Sequence, residues 1–206
     1  MVSVVAAHNR HLHAGAVDAM FRDRKRIFVD GLKWDIPVVD GVYEMDQFDG
    51  PSALYLIDEG GSAMPHRGSV RLLPTTGPHL LGDIFPNLAE DSPPRADDTW
   101  EITRLCTAPA LRGEEARRVR RRIAQGMVET ALLYGMRRFT AVAHTEWLSA
   151  VMATGWETRP LGLPQVIGGE TIGAIEILVD TATLQLLRSK FGTHGPVLAL
   201  DAQVAA

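Results

Sequence analysis

The spacing of apolar residues predicts where the chain forms helices. Over residues 14–28 apolar side chains recur at helical spacing, and Gly31 ends this helix. A longer helix is predicted over residues 113–135, where a clear apolar stripe stops at a glycine. Shorter helical segments are predicted over residues 80–85, 145–155 and 181–188. Each has an apolar face with which to cover a sheet.

Runs of apolar residues with the character of strands alternate with these helices. The predicted strands are residues 53–58, 69–73, 100–106, 138–143 and 171–179. The turn-forming sequence Glu59-Gly60-Gly61-Ser62 joins the first two as an antiparallel hairpin, while residues 32–49 and 90–99 are predicted loops. This order predicts an α+β or mixed α/β fold, with helices covering a central sheet.

Length and composition indicate one globular domain over residues 1–206, with enough chain for a substantial core. The net charge of −4 gives no overall nucleic-acid footprint, and no apolar run is long enough to span a membrane. A single cysteine, Cys106, excludes an internal disulfide, and the N-terminus lacks a secretory signal. We therefore expect a cytoplasmic protein without nucleic-acid or membrane partners, whose His8, His11 and His13 lie in a mobile terminus.

The carboxylates Glu44, Asp46 and Asp49 are crowded into six positions ahead of a Gly-Pro pair. Like charges at this spacing repel each other, so the cluster requires cations near it in the fold. Isolated arginines within apolar or structured segments are Arg24, Arg71 and Arg104. We predict that these acids and arginines form one charged network that lines a cleft.

Other interpretations of the acidic cluster stay open from the residues alone. Carboxylates bind hard cations such as Ca²⁺ or Mg²⁺, although the spacing lacks the glycine and terminal glutamate of a calcium-binding hand loop. The three residues also fit ordinary surface acids. Histidine and cysteine spacing does not indicate zinc, and the prediction is that the protein holds no metal.

The predicted strand over residues 100–106 places two charged residues on opposite faces. Strict alternation sends Glu101 to one side and Arg104 to the other. If both serve one site, a bulge or a strong twist must interrupt the strand.

Arginines surround the start of the predicted long helix. The free backbone amides of a helix N-terminus favour an anion, and Arg112, Arg117 and Arg118 add positive charge. This arrangement suits the phosphates of coenzyme A or of a pantetheine-type acyl carrier. The alternative is a solvated helix face on which Glu114 pairs with Arg118.

These motifs, taken in order over residues 20–105, resemble the acyl-homoserine-lactone synthases, the LuxI-type autoinducer synthases of quorum-sensing bacteria. The matching positions are Arg24, Phe28, Trp34, Glu44, Asp46, Asp49, Arg71 with the Leu-Leu-Pro-Thr that follows it, Phe85, Trp100, Glu101 and Arg104. Beyond residue 110 the resemblance is looser.

The resemblance implies a fold like that of the Gcn5-related N-acetyltransferases. That fold has a twisted, mostly antiparallel sheet with helices on both sides, splayed into an acyl-chain cleft, and a bulge in the strand over residues 100–106. The implied enzyme is an acyltransferase for which S-adenosylmethionine and an acyl thioester are substrates, without a cofactor. The methionine amine attacks the thioester, carried by acyl carrier protein or coenzyme A, and the carboxylate then displaces methylthioadenosine to close the lactone.

The resemblance also implies roles for individual residues. Deprotonation of the ammonium requires a carboxylate base, for which Glu101 is the candidate. Arg104 would hold the methionine carboxylate or the acidic cluster, and the three cluster acids would position the arginines. The residues predicted to pack over adenosylmethionine are Phe28 and Trp34, although simple core packing is their alternative. The predicted acyl-chain pocket contains Thr103, Leu105, Thr140 and Phe85, and the predicted carrier-docking residues are Arg112, Arg117 and Arg118.

The sequence departs from the family pattern at two positions. Leu105 stands where the family often has an aromatic residue, and Lys33 replaces a common glycine before the tryptophan. Thr140 resembles a threonine that accompanies 3-oxo acyl chains in some members.

Two competing functions are an N-acetyltransferase that uses acetyl-CoA on a small amine, and a non-catalytic binding module whose docking face is residues 112–122. The residues do not determine acyl length, oxidation at the 3-position, or the identity of the acyl carrier.

Overall fold

The computed structural model describes residues 1–152 and 155–199, which cluster into two units. The first unit contains Met1–Arg71, Arg104–Glu129 and the C-terminal residues from Gly195. The second contains Leu72–Thr103 and Thr130–His194. The single domain expected over residues 1–206 stays a prediction.

The elements follow the predicted alternation of helices and strands. The strands are β1 Val2–Val5, β2 Val38–Val39, β3 Tyr43–Glu44, β4 Leu54–Glu59, β5 His66–Pro74, β6 Thr99–Thr107, β7 Arg138–His144, β8 Thr158–Pro160, β9 Gln165–Ile167, β10 Glu170–Leu178 and β11 Leu198–Ala199. The helices are α1 Ala14–Arg24, α2 Leu80–Asp83, α3 Gly113–Tyr134, α4 Thr145–Met152 and α5 Thr181–Phe191. A π-helical turn, Lys25–Gly31, extends α1, and 3-10 turns cover Arg10–His13 and Pro86–Leu88.

In the first unit the strand order is β11-β1-β4-β5. β1 pairs antiparallel with β4 and parallel with β11. Helix α3 contributes Val119 and Ile123, both fully buried, to the core of this unit. Glu129 on α3 accepts hydrogen bonds from the backbone N–H groups of Val197 (2.9 Å) and Leu198 (3.2 Å), which fixes the C-terminal strand.

In the second unit the strand order is β6-β7-β10-β8, and β9 also pairs with β10. The first half of β6 runs parallel to β7, and the partner of Glu101 is Thr140. β7 and β10 form an antiparallel pair of seven residues each. Buried Leu81, Leu88 and Ala174 form an apolar cluster against which Phe85 packs.

The structure corrects several expectations for irregular segments. The N-terminus is a strand rather than a mobile terminus, and His13 contacts the Glu59 carboxylate at 2.6 Å. The predicted loop over residues 32–49 contains the β2–β3 hairpin. These elements and β8, β9 and β11 contain at most four residues, which is too short for a periodic pattern to be recognised.

Two expectations fall partly outside the described residues. The predicted end of the fourth helix adjoins residues 153–154, and the tail that the sequence pattern leaves unassigned continues into residues 200–206. Within the described part of the chain no helix is long and apolar enough to cross a membrane.

Candidate active site

Arg24, at the end of α1, is the centre of a buried ionic network. Its Nε donates to Glu44 Oε2 at 2.6 Å, and its two terminal nitrogens donate to both oxygens of Asp49 at 2.8 and 2.9 Å. A planar guanidinium with fixed donor directions can make these bonds simultaneously, whereas an ammonium group cannot.

Arg71 on β5 and Arg104 on β6 complete the network. Arg71 binds both oxygens of Asp46, at 2.6 and 3.0 Å, and contacts Asp49 at 2.9 Å. Arg104 donates to Glu44 at 3.1 Å and to Asp46 at 2.8 Å. The structure thus brings together the six charged residues that the sequence singled out, with side chains at most 8% exposed.

The network stabilises the charged forms of Asp49 and Arg24. Burial by itself would raise the pKa of Asp49, but hydrogen bonds and attraction from Arg24, with attraction from Arg71, hold that pKa well below its usual range. Burial likewise opposes the charge of Arg24, yet Asp49 and Glu44 raise its pKa above the ordinary value. Three cations therefore neutralise three anions in a site from which water is largely excluded.

The loop that supplies the acids is shaped by its own side chains. Asp49 accepts from the backbone N–H of Asp46 at 2.8 Å, and Asp46 accepts from the N–H of Phe48 at 2.9 Å. Hydrogen bonds between an aspartate side chain and nearby backbone N–H groups favour tight turns over helices and strands. Tyr55 on β4 donates its hydroxyl to Asp49 at 2.7 Å and is a member that the sequence reasoning missed. In the sequence, Tyr55 is marked only by its hydroxyl group within an otherwise apolar strand.

The same three carboxylates have the geometry of a possible cation site, because one ligand atom from each lies within 4.8 Å of the others. Each of their oxygens already accepts a guanidinium N–H. A divalent cation would have to displace arginines from a neutral cluster. The donor set therefore fits arginine better than metal.

Phe28 and Trp34 form a stacked pair, with ring centres 4.9 Å apart and planes inclined by 16°. The guanidinium carbon of Arg104 lies 5.6 Å from the ring centre of Phe28 and 5.8 Å from that of Trp34. Phe28 is buried within the π-helical turn, whereas Trp34 is half-buried. The aromatic pair thus forms an apolar, cation-attracting wall beside the network.

Arg104 interrupts the regular alternation of β6. Its φ of 54° lies in the left-handed region, which a non-glycine residue adopts at a cost of about 1–3 kcal/mol. If Glu101 and Arg104 serve one site, the alternation must be interrupted between them, and the left-handed backbone of Arg104 is such an interruption. The ion pairs of Arg104 hold the strained backbone in place.

Glu101 is fully buried and occupies a position that the sequence did not reveal. Its two oxygens accept the backbone N–H groups of Leu80 and Leu81, both at 2.6 Å. These amides open α2, so the carboxylate satisfies donors that have no partner within the helix. Glu101 therefore holds α2 against β6, whatever its part in proton transfer.

The predicted acyl-pocket residues have different environments. Thr103 and Thr140 are buried, Leu105 is half-buried, and Phe85 packs on the apolar cluster of Leu81. Among the described residues the Thr140 Oγ1 has no hydrogen-bond partner. A buried hydroxyl without a partner is costly, so Thr140 has an unused donor to offer.

The arginines at the start of α3 differ from the predicted pairing. Glu114 binds Arg117 at 2.9 Å and Arg121 at 3.4 Å, rather than Arg118. Arg112 turns back to donate to the carbonyl oxygens of Pro109 and Leu111. Arg118 is exposed on the helix surface.

Comparison with solved structures first shows which fold the chain has. An acyl-CoA N-acyltransferase from Pseudomonas aeruginosa shares the fold, with a TM-score of 0.51, 15% identity, and coverage of 85% of this chain and 99% of that one. The predicted acetyltransferase-like α/β fold is confirmed.

Sequence and structure then identify the family within this class. The family model for autoinducer synthase matches residues 8–187, and an acyl-homoserine-lactone synthase of Ralstonia solanacearum is 32% identical over 91% of this chain and 95% of its own. The chain belongs to the autoinducer synthase family, as its motifs predicted, and is an enzyme of the acyl-homoserine-lactone synthase type.

Solved members of the family match almost the whole chain. A CoA-dependent acyl-homoserine lactone synthase, BjaI, solved with SAM and isopentyl-CoA, has a TM-score of 0.88 at 28% identity, covering 98% of this chain and 93% of that one. MesI, also a CoA-dependent acyl-homoserine lactone synthase, has a TM-score of 0.86 at 30% identity, covering 98% of this chain and 100% of that one.

Proposed function

We propose that this protein joins S-adenosylmethionine to an acyl thioester and closes the product to an N-acyl-homoserine lactone, releasing methylthioadenosine as a step in quorum-sensing signal synthesis. The observation that carries the proposal is the neutral arginine–carboxylate network with Phe28 and Trp34 stacked beside Arg104. An acetyltransferase for simple amines has no need of this network.

The network suits the methionine part of the substrate, which carries a carboxylate, an ammonium and a sulfonium. Arg104 is its most exposed arginine and already makes paired donations, so it can share them with a substrate carboxylate. The acids and the aromatic wall attract the sulfonium. Arg24 and Arg71, at most 1% exposed, would fix the acids rather than touch the substrate.

Glu101 is the proposed general base. Glu101 is a buried carboxylate on the strand that also carries Arg104, and it would take the ammonium proton directly or through one water. Loss of that proton gives the amine that attacks the thioester carbonyl.

We infer that coenzyme A, rather than acyl carrier protein, carries the acyl chain. The support is that BjaI and MesI are CoA-dependent synthases with high structural similarity over nearly the whole chain. The exposed Arg118, with Arg112 and Arg117 near it in sequence, would meet the CoA phosphates at the start of α3. The unused hydroxyl of Thr140 would donate to an oxygen of the acyl chain, with Thr103, Leu105 and Phe85 lining its path.

We also propose that residues 1–206 act as one synthase domain in the cytoplasm, without a prosthetic cofactor or metal and without nucleic-acid or membrane partners. The family match supports this because residues 8–187 include segments of both units.

The test is turnover of S-adenosylmethionine with matched acyl-CoA and acyl carrier protein thioesters, followed by mass spectrometry of the lactone and of methylthioadenosine. We expect lactone from acyl-CoA, and a loss of at least about 100-fold in Arg104→Ala. Arg159→Ala is the control, because Arg159 is exposed and pairs with the exposed Glu157. Acetylation of amines without methylthioadenosine release would contradict the proposal and favour the N-acetyltransferase.

A further inference from the structure

A second chain of hydrogen bonds, formed by buried side chains, lies in the same unit as the arginine network. His66, the first residue of β5, places Nδ1 2.8 Å from Asp23 Oδ2 and Nε2 3.0 Å from Ser69 Oγ. Ser69 Oγ in turn lies 3.6 Å from Cys106 Sγ. All four residues are at most 7% exposed.

This chain joins the three elements that carry the network arginines. Three of its four members each lie one or two residues from an arginine on the same element. The pairs are Asp23 and Arg24 on α1, Ser69 and Arg71 on β5, and Cys106 and Arg104 on β6. Ser69 and Arg71 also share a strand face, because they are two residues apart.

Burial would lower the pKa of His66, but the hydrogen bond that its ring donates to Asp23 and the neighbouring Cys106 raise that pKa to about 9. The protonated ring donates from Nδ1 to Asp23 and from Nε2 to Ser69, whose own hydroxyl hydrogen then points to the Cys106 sulfur. The protonated His66 thus donates to both sides of the hydrogen-bond chain, toward Asp23 and toward Ser69.

The surroundings of this chain are tightly packed. Asp23 also accepts from Arg26 at 3.0 Å. Helix α3 meets β5 through Val119 and Ile123, which would lie 2.6 and 3.0 Å from a methyl group added at Gly68. Within the described part of the chain, the titratable groups that act on the His66 ring are Asp23, which also pairs with Arg26, and Cys106.

An Asp-His-Ser order is also that of a hydrolase triad, but this serine is 1% exposed and its oxygen is already engaged by His66 and Cys106. A nucleophile must reach a substrate, so the arrangement does not fit acyl transfer.

We propose that Asp23, His66, Ser69 and Cys106 are positioning residues that fix the spacing of Arg24, Arg71 and Arg104, and through it the affinity for S-adenosylmethionine. The physical reason is that the forked hydrogen bonds of the network, at 2.6–3.1 Å, tolerate little displacement of the elements that carry them. The inference rests on the proposed function, because it assigns the network to the adenosylmethionine site.

The test separates the two halves of the hydrogen-bond chain, on either side of His66. In His66→Asn the amide takes the place of Nδ1 and keeps the bond to Asp23, whereas in His66→Gln it takes the place of Nε2 and keeps the bond to Ser69. We expect both variants to raise KM for S-adenosylmethionine about tenfold, with kcat and KM for the acyl thioester changed less than about threefold. Ser69→Ala, which cuts the chain in the middle, should act in the same direction.

His13→Gln is the matched control. It breaks another histidine–carboxylate contact of the first unit, between His13 and Glu59 at 2.6 Å, away from the network. We expect its KM to equal that of the wild type. If the His66 variants lower Tm but leave KM for S-adenosylmethionine unchanged, the hydrogen-bond chain contributes only to stability and the inference is overturned. If the wild type neither binds S-adenosylmethionine nor forms lactone, the proposed function itself fails.

The pH profile gives an independent readout. His66 loses its proton as pH rises through about 9, so the wild-type KM for S-adenosylmethionine should increase above that pH. His66→Gln should lack this increase, whereas Cys106→Ala, which removes one cause of the raised His66 pKa, should show it at a lower pH. The same increase in His66→Gln would overturn the inference.

Discussion

At the scale of residues, the site depends on charges that are buried only because each has a partner. Removing one member of a buried ion pair leaves an uncompensated charge, which costs about 3–5 kcal/mol. The network therefore need not add much to the free energy of folding. It does restrict the positions of its side chains, since few arrangements pair every charge.

Asp49→Asn tests this constraint through its dependence on pH. Because the folded-state pKa of Asp49 lies below its unfolded value, its contribution to stability is present above about pH 4 and is lost as pH falls. We expect the variant to be about 3–5 kcal/mol less stable at pH 7. Its free energy of unfolding should also fall less between pH 5 and pH 3 than that of the wild type, measured by urea denaturation.

Asp83→Asn is the control for this measurement, because Asp83 forms an exposed pair with Arg95 at 3.0 Å. Such pairs contribute little, so its stability curve should follow the wild type. Equal pH profiles for wild type and Asp49→Asn would show that Asp49 is not ionised in a buried pair.

Lys33 provides a second residue-scale prediction. It is exposed and has a φ of 61°, a left-handed conformation that glycine adopts without strain. Lys33→Gly should raise the free energy of unfolding by about 0.5–1 kcal/mol, because relief of left-handed strain exceeds the entropy cost of glycine.

Lys33→Ala shortens the same side chain but retains Cβ, so it should show no gain in the same urea titration. A gain of similar size in both variants would attribute the effect to the lysine side chain rather than to the backbone.

At the scale of elements, β6 connects the chemistry to a short helix. Four residues are too few for α2 to be stable by itself, since helix nucleation is costly. The Glu101 carboxylate supplies acceptors for its first amides. A single side chain thus has a structural task in addition to the proposed transfer of a proton.

Glu101→Gln should therefore have two effects. The amide nitrogen of glutamine would face a backbone N–H, leaving a buried donor unsatisfied at a cost of about 1–3 kcal/mol. We expect faster hydrogen exchange at Leu80 and Leu81, together with loss of lactone formation.

Glu176→Gln is a suitable comparison, because Glu176 is also nearly buried and its contact with Arg138 is longer, at 3.5 Å. If Glu101→Gln still forms lactone, Glu101 does not take part in the proton transfer. If hydrogen exchange at Leu80 and Leu81 is unchanged, Glu101 does not stabilise α2.

At the scale of the whole molecule, net charge is a poor guide to the substrate. The chain carries −4 overall, yet arginines dominate the exposed surface at the start of α3. Exposed charges are screened by salt, whereas buried pairs are screened much less. The two substrates should therefore respond differently to ionic strength.

We expect KM for acyl-CoA to rise with added NaCl while KM for S-adenosylmethionine changes little. Arg118→Ala should raise KM for acyl-CoA at low salt and reduce its salt dependence, measured by initial rates. Arg159→Ala, another exposed arginine, should behave as the wild type. Equal salt dependence in Arg118→Ala and wild type would place the CoA phosphates elsewhere.

The sequence by itself determined the fold class and the six charged members of the ionic network. Apolar periodicity marked α1, α3 and the long strands, and Gly135, with a φ of 72°, follows the end of α3 as predicted. Clustered acids require nearby cations, and few arginines lie in segments that could supply them. Local charge and local periodicity were sufficient for these conclusions.

Only the tertiary structure decided which groups meet. The fork of Arg24 between Glu44 and Asp49, the two amides bound by Glu101, and the path from Asp23 through His66 and Ser69 to Cys106 join residues far apart in the chain. Sheet register and the left-handed residue at Arg104 set these contacts, and neither leaves a periodic trace in the sequence.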